Sequence, residues 1–215
     1  MSLLCPSMMC ADYGALKQQI IELDEAGCDI FHCDVMDGSF VPNMTMGIMD
    51  ISTIRKYTKK MVDVHLMIEQ PSTKIDWFIE AGVDLIYIHP EAERYPIKTL
   101  SYIREKGRLA GIAINPDTSI TMIEEVLHVC DYILVMSVNP GFAGQKFIDF
   151  TDDKIKRLIE MKNTYGFKIV LDGACSPDII QTYSKLGVDG FVLGTSALFK
   201  ENVSYKEAIN QLRTL

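Results

Sequence analysis

Ala26-Gly-Cys-Asp-Ile-Phe-His-Cys-Asp34 carries, in order, a helix end, a turn, a buried strand and two groups able to do chemistry. Glycine after an apolar-periodic stretch supplies the left-handed conformation that ends a helix. The run that follows is apolar at most positions, as expected of a parallel strand covered on both faces. The turn recurs. Ala81-Gly-Val-Asp84 and Leu186-Gly-Val-Asp189 each stand between a helical pattern and the next apolar run. This echo marks a repeated β-α unit and needs no binding role to explain it.

Reading outward by period, strand-like runs fall at Leu3–Met8, Ile30–Asp34, Met61–Met67, Leu85–His89, Leu109–Ile114, Tyr132–Ser137, Lys168–Asp172 and Gly190–Leu193. Helical patterns fill the gaps. Tyr13, Leu16, Ile20 and Leu23 recur at intervals of three and four behind an Asp12 cap, Ile155, Leu158 and Ile159 follow Asp152, and Ser176-Pro177 offers a cap with proline at the first helical position. Eight such units predict an α/β fold, a closed (β/α)8 TIM barrel rather than an open doubly wound sheet. With no linker or low-complexity tract, residues 1–215 are expected to form one barrel domain.

Composition narrows the function. A net charge of −8 argues against a nucleic-acid partner, which needs clustered Lys and Arg, yet leaves room for a small phosphorylated ligand held by backbone N–H groups. No apolar run reaches membrane-spanning length, so no membrane partner is expected. The six cysteines form no CxxC pair or spaced framework and no signal-peptide pattern is present; reduced thiols and a cytoplasmic location are expected.

Active sites of such barrels sit at the strand C-termini. Residues two apart on a strand point the same way, so His32 and Asp34 share a face. Together with His65 on the third strand and Asp172 on the seventh, they give two imidazoles and two carboxylates, the donor set a divalent metal and an acid/base reaction require. Each histidine alone would read as structural, as His89 and His128 do; Asp172 alone would read as a helix cap, but Ser176 can serve that purpose. Asp34 and Asp172, from well-separated strands, can flank a flat substrate and move a proton off one face of a carbon and onto the other. Glycine turns after late strands, Gly141-Phe142-Ala143-Gly144, Gly173-Ala174 and Gly194-Thr195, are candidate phosphate loops. Met36, Met67 and Met136 are expected at the same mouth as a soft apolar lining, not as sulfur ligands.

Several segments resemble the ribulose-phosphate 3-epimerase family: Cys5-Pro-Ser-Met-Met9, Phe31-His-Cys-Asp-Val-Met-Asp-Gly-Ser-Phe-Val-Pro-Asn43, Val64-His-Leu-Met67, Val135-Met-Ser-Val-Asn-Pro-Gly-Phe-Ala-Gly-Gln145 and Leu171-Asp-Gly173. They run in order along nearly the whole chain. The resemblance implies a barrel of the ribulose-phosphate-binding type and a metal-dependent isomerase that inverts C3 of a ketose phosphate. It further implies that His32, Asp34, His65 and Asp172 bind one divalent ion (zinc, iron or manganese), that Asp34 and Asp172 are the acid/base pair, and that Ser7 and His65 meet the substrate. The loops Gly141–Gly144, Gly173–Ala174 and Gly194–Thr195 would hold its phosphate, and a homo-oligomer is expected.

Where ribulose-phosphate enzymes typically read SILSAD, HVEA, DGGV and GSAIF, this chain has Ser7-Met-Met-Cys-Ala-Asp12, His89-Pro-Glu-Ala92, Asp172-Gly-Ala-Cys175 and Gly194-Thr-Ser-Ala-Leu-Phe199. These variants look more like the D-allulose-6-phosphate branch, so the expected substrate is D-allulose 6-phosphate, converted to D-fructose 6-phosphate, with D-ribulose 5-phosphate, giving D-xylulose 5-phosphate, as the alternative. A decarboxylase or aldolase on the same fold would need a lysine at a strand end, and none of these ends has one. A catalytically silent sugar-phosphate-binding protein is the rival of another class.

Overall fold

A computed structural model describes residues 1–200 and 203–215. Among these, strands β1 (Leu3–Pro6), β2 (Ile30–Asp37), β3 (Met61–Met67), β4 (Leu85–Ile88), β5 (Leu109–Ile114), β6 (Tyr132–Met136), β7 (Lys168–Asp172) and β8 (Gly190–Leu193) pair in parallel, each with its neighbour in sequence from β2 to β8. Strand β8 then pairs with β1. The ring closes between β1 and β2, where Ser7 and His32 form a parallel bridge and the Asp29 N–H donates to the Leu4 carbonyl at 2.9 Å. The chain is a (β/α)8 barrel. Its helices are α1 (Leu16–Ala26), α2 (Ile48–Tyr57), α3 (Ile75–Glu80), α4 (Pro96–Glu105), α5 (Ile120–Ile123, continued as a 3-10 turn to Val129), α6 (Thr151–Tyr165), α7 (Pro177–Leu186) and α8 (Tyr205–Arg213).

Local chemistry accounts for the element ends. Gly27, Gly82 and Gly187 all take positive φ, as the repeated turn requires. The Asp12 side chain accepts from the Gly14 N–H, and Ser176 accepts from Ile179 ahead of Pro177. β4 and β6 each end one residue earlier than expected, and two strands differ by more. β1 stops at Pro6, whose ring removes a donor, and the chain turns through a 3-10 segment at Met8–Cys10. β2 runs on to Asp37 because a two-residue strand, Met44–Thr45, folds back antiparallel on Met36 and Asp37.

Alternation along each strand divides the core into two. Phe31, Cys33 and Val35 of β2, and Val62, Val64 and Leu66 of β3, face outward into the large layer shared with the helices. Inside the barrel, Cys5, Leu85, Tyr87, Tyr132, Leu134 and Val170 form a separate packed plug. Gly111 makes room for it: a Cβ there would fall 2.2 Å from the Tyr87 ring. The inward positions above this plug are those occupied by His32, Asp34, His65 and Asp172.

Candidate active site

The four side chains converge. One ligand-capable atom from each of His32, Asp34, His65 and Asp172 lies within 4.8 Å of the others. Strand register brings this about, since Asp34 pairs with His65 across β2 and β3 while Asp172 ends β7. His32 and His65 are fully buried, and Asp34 is nearly so. Asp34 stands at the centre: its Oδ1 is 3.2 Å from His32 Nε2 and 3.1 Å from His65 Nδ1, and its Oδ2 accepts from the Ser7 hydroxyl at 2.6 Å. Asp172 Oδ2 is 3.9 Å from His32 Nε2 and 3.5 Å from His65 Nδ1.

The charges interact strongly. Burial opposes ionisation of Asp34, but His32, then His65, outweigh it and hold its carboxyl far below the usual range. Asp172 moves the other way, pushed up by burial and by the Asp34 charge. Burial would lower His32, yet Asp63 and Asp34 hold it well above its ordinary value. Burial brings His65 down to about 4, so it is a neutral imidazole at neutral pH.

Asp63, to which motif reading gave no role, is a third carboxylate at this floor and is fully buried. It sits two residues before His65 on β3, opposite His32 in the register, and 2.7 Å from His32 Nδ1. With that nitrogen facing the Asp63 carboxylate, His32 presents Nε2 to Asp34 and Asp172, the arrangement by which carboxylates orient metal-binding histidines. Two aimed imidazole nitrogens and two carboxylates fit a divalent ion of the zinc, iron or manganese kind.

A cleft opens over this floor. Ser7, Asp34, Met36, Met67, Met136 and Asp172 line its base, and Gly141–Gly144, Gly173, Ala174, Gly194 and Thr195 line its rim. Met36 and Met67 pack together with Val41, whereas Met136 belongs to the plug inside the barrel. Ser7 reaches the cleft with its hydroxyl hydrogen already given to Asp34. Gly173 is required by two constraints: it has φ +108, and a Cβ would fall 2.6 Å from Val138. Ala174 holds φ +49, which costs a non-glycine residue roughly 1–2 kcal/mol. The rim is tied across the barrel by Asn43, whose amide donates to the Gly141 carbonyl at 2.7 Å. Cys10 also lines the cleft, its thiol pushed up by burial to about 11; all six cysteines are free.

Among the described residues no helix is long and apolar enough to cross a membrane. Solved structures with similar folds include a thiamine phosphate pyrophosphorylase from Pyrococcus furiosus (TM-score 0.67, 16% identity, 99% of this chain and 94% of that one). A 3-hexulose-6-phosphate synthase is similar too (TM-score 0.67, 15% identity, 100% and 99%). At such identities these likenesses speak for the fold alone. Sequence relatives are nearer. A ribulose-phosphate 3-epimerase of Synechocystis sp. is 42% identical over 214 residues, covering 98% of this chain and 92% of its own. Those of Aquifex aeolicus (42% over 197 residues; 91% and 89%) and Bacillus subtilis (38% over 213 residues; 98% and 97%) follow. The family model described as "Ribulose-phosphate 3 epimerase family" matches residues 3–199. The chain belongs to the ribulose-phosphate 3-epimerase family, a family of isomerases.

Proposed function

We propose that this chain, acting as one barrel over residues 1–215, is a metal-dependent 3-epimerase that interconverts D-ribulose 5-phosphate and D-xylulose 5-phosphate. One observation carries the reading: carboxylates from β2 and β7, three strands apart around the ring, meet at a single His/Asp cluster beneath an open cleft. Inverting a carbon needs a proton acceptor on one face and a donor on the other, and two convergent carboxylates supply both. A pair that repels across a buried site favours the state with one proton between them, which is the state such a transfer cycles through.

The roles then follow from position. His32, oriented by Asp63, and His65 would hold the ion with Asp34 and Asp172. When bound, a divalent ion supplies Lewis-acid stabilisation of the charge that develops on the ketose oxygens. Ser7 orients Asp34 through its hydroxyl. One aspartate takes the C3 proton and the other returns one to the opposite face. Met36, Met67 and Met136 keep water from the floor, and the backbone N–H groups of Gly173–Ala174 and Gly194–Thr195 receive the phosphate with the Gly141–Gly144 loop beside them.

The five-carbon sugar is preferred because the relatives above are ribulose-phosphate enzymes at about 40% identity over nearly the full chain. The variant motifs that pointed to D-allulose 6-phosphate remain a second reading with one structural feature behind it. Ala174 keeps its N–H but places a methyl, in a left-handed conformation, on the phosphate side of the cleft. Measuring kcat/KM for both sugar phosphates on one metal-loaded preparation decides between them. Greater efficiency on D-ribulose 5-phosphate is expected; greater efficiency on D-allulose 6-phosphate reverses the choice, and no C3 inversion of either rejects the proposal.

A further inference from the structure

His65 does not end at its own ring. Its Nδ1 faces Asp34 and Asp172, while its Nε2 lies 2.7 Å from Nε2 of His89, at the end of β4. Two imidazole nitrogens this close share one proton, so one must donate and the other accept. His89 Nδ1 makes no hydrogen bond of good geometry among the described residues, and the carboxylate facing it is that of Glu91, whose Oε2 lies 3.4 Å away. The Thr118 hydroxyl donates to the other oxygen of Glu91 and fixes that carboxylate. The ring of Phe40, 4.8 Å away, covers the face of His89, and His89 is fully buried.

Counting protons along this line gives the result. From Asp34 through His65 and His89 to Glu91 there are three polar contacts, bounded at each end by a carboxylate that only accepts. Two neutral imidazoles carry two protons. One contact must therefore bring lone pair against lone pair, unless a cation, or a proton carried by Asp172 3.5 Å from His65 Nδ1, enters the line. Asp34 draws the His65 proton to Nδ1; Glu91, acting through His89, draws the opposite pattern. If Glu91 holds the proton of His89 on Nδ1, the bare His89 Nε2 accepts from His65 Nε2–H. The His65 Nδ1 lone pair is then left pointing at the carboxylates, where a cation resolves the conflict.

We infer that His89 and Glu91 are positioning residues that select the Nε2–H tautomer of His65 and so present its Nδ1 to a divalent cation. The inference rests on the proposed cation site and adds to it an outer support on the side away from Asp63. The two imidazoles of the site are oriented by different means, His32 by a direct carboxylate and His65 by a histidine-carboxylate relay.

The test uses the full chain, stripped of metal and titrated with Zn2+ by calorimetry. His89→Leu removes the acceptor and is expected to weaken Zn2+ binding about 10–100-fold. His89→Gln can place an amide oxygen near the former Nε2, and should keep affinity within a few-fold of wild type. Glu91→Gln should weaken binding about tenfold, as loss of an outer-shell partner does. Should these substitutions prevent folding, the wild type still decides. Long-range 1H–15N spectra of the Zn2+-loaded protein, which has only 4 histidines, should show His89 protonated at Nδ1 alone. His89 protonated at Nε2, or wild-type affinity in His89→Leu, overturns the relay. A wild-type protein that takes up no Zn2+ overturns the cation site itself, a distinct result.

Discussion

The two rims of the barrel both carry rings of aspartate, and they use them in opposite ways. At the N-terminal rim, Asp29, Asp84, Asp131 and Asp189 precede the even strands β2, β4, β6 and β8. Each accepts a backbone N–H from the preceding odd strand, from Leu4, Val62, Ala110 and Ile169, at 2.8–2.9 Å. A cation from a helix stands beside each: Arg213 at 2.5 Å from Asp29, Arg55 at 2.9 Å from Asp84, Lys162 at 2.7 Å from Asp189 and Arg104 at 3.8 Å from Asp131. These carboxylates have donors, countercharge and some access to water, and they staple adjacent strands. At the C-terminal rim, Asp34 and Asp172 face each other in a buried floor, and among the described residues Asp172 meets no Lys or Arg. Like charges held together out of water are costly, and that cost is what a cation or a mobile proton relieves. One residue type thus staples strands at one rim and, in the proposed function, carries the proton transfer at the other, according to its partners.

The largest expected effect breaks the upper rim. Asp34→Asn and Asp172→Asn should each lower epimerase activity by about 10²–10⁴-fold, the usual worth of a general acid or base, while circular dichroism shows an intact fold. Activity within a few-fold of wild type in either folded, metal-loaded protein contradicts the acid/base assignment.

The lower rim should respond in the opposite sense. Asp84→Ala strands the Val62 N–H and frees Arg55, and is expected to cost about 2 kcal/mol in urea denaturation with kcat per folded molecule unchanged. Asp131→Ala should cost less, because Arg104 is farther away and more exposed. A lower-rim substitution that abolished kcat without loss of stability would erase the distinction between the rims.

The charge asymmetry gives a pH test on metal-free protein. Asp172 is raised to about 7 in the native state by burial and then by Asp34, above an unfolded value of about 3.9. A raised carboxyl binds its proton more tightly in the folded chain. Its stabilising contribution is therefore full below about pH 4 and is lost as pH rises through about 7. Asp172→Asn cannot lose a proton, so the variant should melt near the wild type at pH 5 and above it at pH 8. Equal melting temperatures at pH 8 would show that the two upper carboxylates do not repel. The smallest expected effect is at the phosphate loop, where Ala174→Gly should relieve the left-handed strain and raise stability by about 1 kcal/mol or less. A loss of stability would mean that the methyl packs favourably.

Sequence exposed these two rims unequally. Three of the four lower turns announce themselves by a glycine. The fourth, His128-Val-Cys-Asp131, has none, because Cys130 leaves its 3-10 turn in an extended conformation and no left-handed residue is needed. Only the Asp131 contacts reveal the equivalence. At the upper rim, alternation on a strand was enough to place His32 beside Asp34, their position at strand ends joined them to His65 and Asp172, and a family resemblance supplied the roles. Partners across strands left no such pattern. Asp63 behind His32, and His89 and Glu91 behind His65, depend on register and side-chain reach, which periodicity does not encode. The sugar was the least legible feature: short motif variants favoured six carbons, whereas similarity over the whole chain favours five.

The central claim is a two-sided proton transfer at C3, and isotope exchange reads it most directly. Metal-loaded protein should convert D-ribulose 5-phosphate in D2O to D-xylulose 5-phosphate carrying deuterium at C3, seen by loss of the C3 proton signal. Product formed with its original C3 hydrogen retained would contradict the account.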